Sequence, residues 1–215
     1  HDGYVSYLPS LMDFPLQSAF VESLNDDYGW GKGFTKAYKM LANDFLYSDP
    51  YNLVIFPDNH DMTRFFTQVN NDLDLFKMGI VYYLTMRGTP QFFYGTEILM
   101  NSNQNPQNHG LIRSNFPGGW PNDEVNAFTG KGLNKDQKQT LEFFKKLLNW
   151  RKNNDVIHHG KLIQYAPKKG GWDEIYSYFR IHNNKKVWVV FNRVNRTQTI
   201  KLSRYSQLLD GCSEG

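Results

Sequence analysis

Apolar positions recur with two different periods along this chain, and the change of period divides it. Leu11 to Phe14 reads as a short strand ended by Pro15, and helical spacing follows at Leu16, Ala19, Phe20 and Leu24. After the Gly-rich loop "DYGWGKG", the stretch "FTKAYKMLANDFLY" places Tyr38, Leu41, Ala42, Phe45 and Leu46 on one helical face. Leu53 to Phe56 is a continuous apolar run that suits a strand covered on both faces. "DLDLFKMGIVYYLTMR" is helical, with Leu75, Met78, Gly79, Tyr82 and Tyr83 inward; Gly88 and Thr89 end it, and residues 91–94 of "PQFFYG" read as a third strand. Strands 11–14, 53–56 and 91–94 alternate with helices, which predicts parallel pairing.

Beyond residue 99 the period is lost. Residues 99–132 are rich in Asn, Gly and Pro, and an unpatterned loop of that length in a compact domain is usually functional or disordered. Phe116, Trp120 and Phe128 argue against disorder. Helical spacing returns over 134–152 at Leu141, Phe144, Leu147, Leu148 and Arg151. Then the style becomes period two. "EIYSYFRI", "KKVWVVF" and "TQTIKLS" read as strands, with the Asn-rich "HNNK" of 182–185 as a hairpin turn between the first two. Consecutive hairpins predict an antiparallel sheet, expected to rest on helix 134–152. The expected division is therefore 1–153 and 154–215, the second part an all-β sandwich domain, truncated.

Composition changes this picture little. The 215 residues suffice for one sizeable domain or slightly more. A net charge of +3 with mixed signs gives no reason to propose nucleic acid or an anionic membrane as partner. No run of about 18 apolar residues is present, so no transmembrane helix is expected, and no signal peptide is read. The single cysteine, Cys212, has no internal disulfide partner. Aromatic residues make up 16% of the chain; burial explains part of that, and exposed rings also stack on the flat faces of sugars. Both termini, "HDGYVSYLPS" and "LDGCSEG", read as cut from something larger.

The candidate chemistry follows strand 53–56 directly. Pro57 stops the ladder because it lacks an N–H, and Asp58, Asn59, His60 and Asp61 follow at the strand's carboxyl end. In parallel α/β proteins that end carries active sites, yet Asp and Asn also favour plain turns. His158 and His159 are adjacent and lack zinc-like spacing, and no metal site is read.

"FPDNHDMTRF" resembles the Asn-His-Asp motif after the seventh barrel strand of the α-amylase superfamily of glycoside hydrolases. "GTPQFFYGTEILM" resembles its eighth strand, and "LPSLMDFPLQSAF" the sixth strand of its neopullulanase and cyclomaltodextrinase branch. "GLIRSNFPGGWPNDEVNAF" is similar to the loop after strand eight in bacterial members of that branch. The resemblance spans about residues 7 to 205. It implies an α/β fold: the last three strand–helix units of a TIM (β/α)8 barrel, then an antiparallel all-β C-terminal domain. An eight-unit barrel takes about 250 residues, so the family's nucleophile Asp and acid/base Glu, after strands four and five, would precede residue 1.

The resemblance also implies roles. Asp61 matches the third carboxylate, which holds and distorts the sugar, buried beside the two others; His60 matches the imidazole that bonds sugar hydroxyls. Asn59 shapes the turn more than it touches substrate. Arg64 either reaches the substrate groove or forms a surface salt bridge. Arg113 lies where related enzymes hold sugars at the non-reducing end. Trp120 and Phe116 either stack on sugar or fold the loop upon itself, and Tyr94 and Glu97 support the barrel mouth. The implied partner is an α-glucan such as starch, pullulan or cyclodextrin, beside the missing N-terminal part or a second copy. No cofactor is evident, with calcium open for the parent, and a periplasmic or secreted bacterial location is favoured. The rival readings are a non-catalytic amylase-fold binder and a transglycosylase on the same scaffold.

Overall fold

The first helix, α1 (Phe14–Asn25), starts where Asp13 accepts a hydrogen bond from the Leu16 amide at 3.1 Å, with proline in its first turn. It buries Leu16, Phe20 and Leu24, the four-residue spacing of one helical face. The computed structural model describes residues 7–27, 29–167 and 175–210; Tyr28, Glu174 and Cys212 lie outside these.

Helix α2 (Phe34–Leu41) buries Phe34, Ala37 and Leu41. It is shorter than the sequence pattern suggests. A 3-10 turn at Asp44–Leu46 breaks the period, and Phe45 and Leu46 face outward, Phe45 with 80% exposure. Asp44 explains the turn. Its carboxylate accepts from Nε of Arg87 at 2.8 Å, while Nη1 of Arg87 donates to Asp13 at 2.7 Å. Arg87 and Asp13 are fully buried, so the guanidinium joins two chain segments through charge-assisted bonds inside the protein.

Three segments run parallel, in the order Met12, β1 (Val54–Ile55) and β2 (Thr89–Pro90). Three neighbouring parallel stretches were expected, but two are placed differently. The first is a single bridge at Met12, because Phe14 already belongs to α1. The third pairs at Thr89–Pro90; the Gln91 amide still donates to the Ile55 carbonyl at 2.8 Å, and residues 92–94 lie beyond the ladder. Gly88 permits this register: its φ is +99°, and a Cβ there would stand 2.7 Å from the Leu53 carbonyl oxygen. Helices α3 (Phe65–Gln68) and α4 (Leu73–Thr85) connect β1 to β2. Asn70 and Asn71, both at positive φ, make the turn between them, and Asp72 caps α4.

The loop after β2 is ordered. It contains a 3-10 turn at Thr96–Ile98, helix α5 (His109–Ile112) and its own apolar cluster of Ile98, Ala127 and Leu133 with Phe116 packed against it. Helix α6 (Lys135–Lys152) opens with a capping box between Asn134 and Gln137. Its Phe144 meets Phe76 and Phe92, while Leu148 is exposed. Helix α7 (Asp155–His159) leads into the antiparallel sheet.

That sheet has the order β3 (Lys161–Tyr165), β4 (Ile175–His182), β5 (Lys185–Asn192). The hairpin falls where "HNNK" placed it: His182 pairs with Lys185, and Asn183 and Asn184 both adopt positive φ, as a two-residue turn requires. Two expectations are corrected. The third strand is 161–165, and 197–203 forms no strand; Leu202–Tyr205 is a 3-10 turn whose Tyr205 packs on Tyr165 and Trp188 across the sheet face. The inner face meets α2 and α4, through Phe34–Tyr176 and Tyr82–Tyr178 contacts, where α6 had been expected. One apolar core therefore runs from Leu16 and Phe20 through Tyr82 to Tyr178 and Phe191. Buried Arg180 closes that junction by donating to the carbonyls of Thr85, Met86, Ile157 and Gly160.

Candidate active site

Pro57 ends the run after β1, and the next four residues turn sharply. Asn59 makes the turn: its Oδ1 accepts from the Asp61 amide at 2.8 Å, and its side chain is largely buried. His60 and Asp61 are thereby held outward, with side chains 63% and 62% exposed. Nε2 of His60 lies 3.2 Å from Oδ2 of Asp61. Its neighbours among the described residues are an imidazole and a guanidinium.

The guanidinium belongs to Arg113, at the end of α5. Its Nη2 donates to Oδ1 of Asp61 at 2.7 Å and to Nδ1 of His109 at 2.9 Å, and its Nε donates to the His60 carbonyl at 2.9 Å. The loop after β2 therefore closes over the end of β1, and Arg113 contacts His60 and Asp61 of the motif. His109 was not singled out in the sequence, and only its place one helical turn before Arg113 signals it.

Arg64 is corrected. It makes no surface salt bridge, and it does not face a groove. The side chain is fully buried, its Nε donates to the Ile112 carbonyl at 2.8 Å, and its Nη1 donates to the Tyr94 carbonyl. The guanidinium carbon lies 4.1 Å from the centre of the Phe93 ring and 4.9 Å from that of Tyr94. Burial lowers its pKa, opposed by the nearby charge of Asp58.

Asp58 is the residue of this stretch that the sequence reading left without a role. It is buried; Oδ2 accepts from the Phe65 amide at 2.7 Å and Oδ1 stands 3.2 Å from Oγ1 of Thr96. Burial pushes its carboxyl up to about 6, against the opposing effects of the Phe65 amide and Arg64. Protonated, its Oδ1–H would donate to Thr96, whose hydroxyl donates to the Phe93 carbonyl at 2.8 Å.

The aromatic candidates divide. Phe116 packs on Phe128 at 5.1 Å, folding the loop upon itself. Trp120 is 62% exposed on a turn whose Gly118 and Trp120 amides both donate to Asp123. Tyr94 donates its hydroxyl to the Ser114 carbonyl at 2.9 Å. Among the described residues, no group of three or more His, Cys, Asp or Glu side chains converges to hold a metal.

A family model for the α-amylase catalytic domain matches residues 6–160, and one for the cyclo-malto-dextrinase C-terminal domain matches 162–215. The chain is 23% identical over 196 residues to a maltogenic α-amylase of Bacillus acidopullulyticus, covering 90% of this chain and 30% of that protein. It is 30% identical over 187 residues to a cyclomaltodextrin glucanotransferase of Paenibacillus macerans, covering 87% of this chain and 23% of that one. The acarbose complex of an α-amylase from Geobacillus thermoleovorans superposes with a TM-score of 0.66 at 24% identity, over 89% of this chain and 38% of that chain; at that identity it speaks for the fold alone. The chain spans about a third or less of the length of these curated relatives. The fold is thus part of an amylase-type barrel followed by a C-terminal sheet domain. With the catalytic-domain model matching well over half of its residues, the chain belongs to the α-amylase family, and its C-terminal match sets it in the cyclomaltodextrinase-like branch.

Proposed function

We propose that the chain is part of a retaining glycoside hydrolase that cleaves α-glucosidic bonds in starch, pullulan or cyclodextrins. The observation that carries this reading is Asp61: an outward carboxylate at the carboxyl end of parallel strands, gathered with His60 and Arg113. We assign Met12, β1 and β2 to the sixth, seventh and eighth strands of a (β/α)8 barrel. Residues 1–153 are read as its C-terminal part and 154–215 as the C-terminal domain.

Retaining glycosidases need two carboxyl groups about 5 to 5.5 Å apart, one to attack the anomeric carbon and one to protonate the leaving oxygen. We assign both to the ends of strands four and five, outside these 215 residues. Asp61 then acts as the third carboxylate. Its charge favours the oxocarbenium-like transition state and raises the pKa of the neighbouring acid. His60 donates to a sugar hydroxyl, and Arg113 holds Asp61 in place until substrate hydroxyls compete for it. Trp120 offers an exposed ring to the sugar face.

A second reading, transglycosylation on the same scaffold, is favoured by the likeness to a cyclomaltodextrin glucanotransferase; it differs in water access to the intermediate, not in Asp61 or His60. The test is an assay with maltotriose and cyclodextrin. The 215-residue chain alone should release no sugar above background, and a longer protein carrying the strand-four Asp and strand-five Glu should release it. Turnover by the chain alone would overturn the assignment of roles. An inert longer protein would leave glucan binding without catalysis, and transfer products in place of free sugar would favour the second reading.

A further inference from the structure

Asp61 and Arg113 are 52 residues apart in sequence and come from two loops. Both side chains are substantially exposed, so their own ion pair is too weak to hold the loops in register. Arg113 also donates to the His60 carbonyl and to His109, and the backbone that carries it is held from beneath.

We infer that Arg64 is the positioning residue for this pair: it clamps the backbone on either side of Arg113 and so aims the Arg113 guanidinium at Asp61. The first half of the clamp is direct. Nε of Arg64 donates to the carbonyl of Ile112, the residue before Arg113. The second half runs through Tyr94. Arg64 donates from Nη1 to the Tyr94 carbonyl and stacks beside its ring, and the Tyr94 hydroxyl donates to the carbonyl of Ser114, the residue after Arg113. Two carbonyls flanking one residue are thus fixed by a single buried side chain and the tyrosine it holds.

The turn that carries the other partner is anchored beside the same residue. Arg64 lies in the turn that carries Asp61, and the amide of the next residue, Phe65, donates to buried Asp58 at 2.7 Å. Arg64 also lies 4.1 Å from the Phe93 ring, itself 6.4 Å from the ring of His60. Only a planar fork can bond two carbonyls in different directions while lying against two rings; a lysine ammonium is a single point charge. Fully buried and bound to backbone alone, Arg64 acts on the site through Arg113.

The functional weight of this clamp rests on the reading of Asp61 given above, but its test needs no activity. The Nε–H of Arg113, bonded to the His60 carbonyl, is followed by side-chain hydrogen exchange in the 215-residue chain by NMR, in mildly acidic buffer. In Arg64→Lys the exchange should quicken at least tenfold, with Trp188 indole signals unchanged. Tyr94→Phe, which removes only the hydroxyl bond to Ser114, should quicken it less. An unaltered rate in folded Arg64→Lys would overturn the clamp. Should Arg64→Lys not fold, an unaltered rate in Tyr94→Phe would overturn it. The activity assay on the longer protein tests the Asp61 reading separately, so the two can fail independently.

Discussion

Nη2 of Arg113 stands 2.7 Å from Oδ1 of Asp61, joining the end of α5 to the turn after β1. The pair is exposed on both sides, so its contribution to folding is small. Replacing Arg113 with Ala should change stability by less than about 1 kcal/mol in urea denaturation. A larger loss would mean that the loop depends on the ion pair itself and not on the buried bonds beneath it.

Asp61 and His60 should separate in kinetics. In the longer protein, Asp61→Asn should lower kcat far more than it raises KM, because the carboxylate acts mainly on transition-state charge. His60→Ala should affect both, since a hydroxyl contact is lost in ground and transition states alike. Equal rates for Asp61→Asn and the unaltered protein would remove Asp61 from the site.

Asp58 supplies a pH signature. Its carboxyl is raised from 3.8 to about 6 in the folded chain by burial. Between those values the folded state retains a proton that the unfolded state has released. Stability from this group is therefore full below about pH 4 and falls as pH rises through 6, by up to about 3 kcal/mol. Asp58→Asn mimics the protonated acid: its carbonyl can accept from Phe65 and its amide can donate to Thr96. Urea melts of the Asn variant should lose the decline over this window. A decline of unchanged size would assign it to other groups.

Gly79 lies on α4 beneath α3, where a Cβ would approach the Phe65 ring to 2.3 Å. Gly79→Ala should destabilise by about 1–3 kcal/mol through overpacking, despite alanine's better helix propensity. Because Phe65 is the residue bonded to Asp58, the change should also shift the amide resonances of 58–61. Stabilisation with unmoved amides would show that α3 yields without cost.

The local pattern by itself determined much of this protein. Apolar spacing is an intrinsic property of a segment, so α1, α4 and α6 are legible from it, as is the Asn183–Asn184 turn, whose residues tolerate left-handed backbone. Asn59, His60 and Asp61 after an apolar run were also readable, because the switch at Pro57 is local. Tertiary structure decided what depends on residues far along the chain. Phe93 and Tyr94 looked like strand for their aromatic side chains, but they serve as the surface against which Arg64 is buried, and the strand pairs at Thr89–Pro90 instead. Nothing around position 64 announces that rings 29 and 30 residues later will cover its charge. Likewise 197–203 carries a strand-like pattern, yet it pairs with no strand among the described residues and instead delivers Tyr205 across the sheet face to Trp188. Spacing within a segment fixes which faces are apolar; which face meets which, and which charge is buried by the meeting, is set only when the distant segments pack.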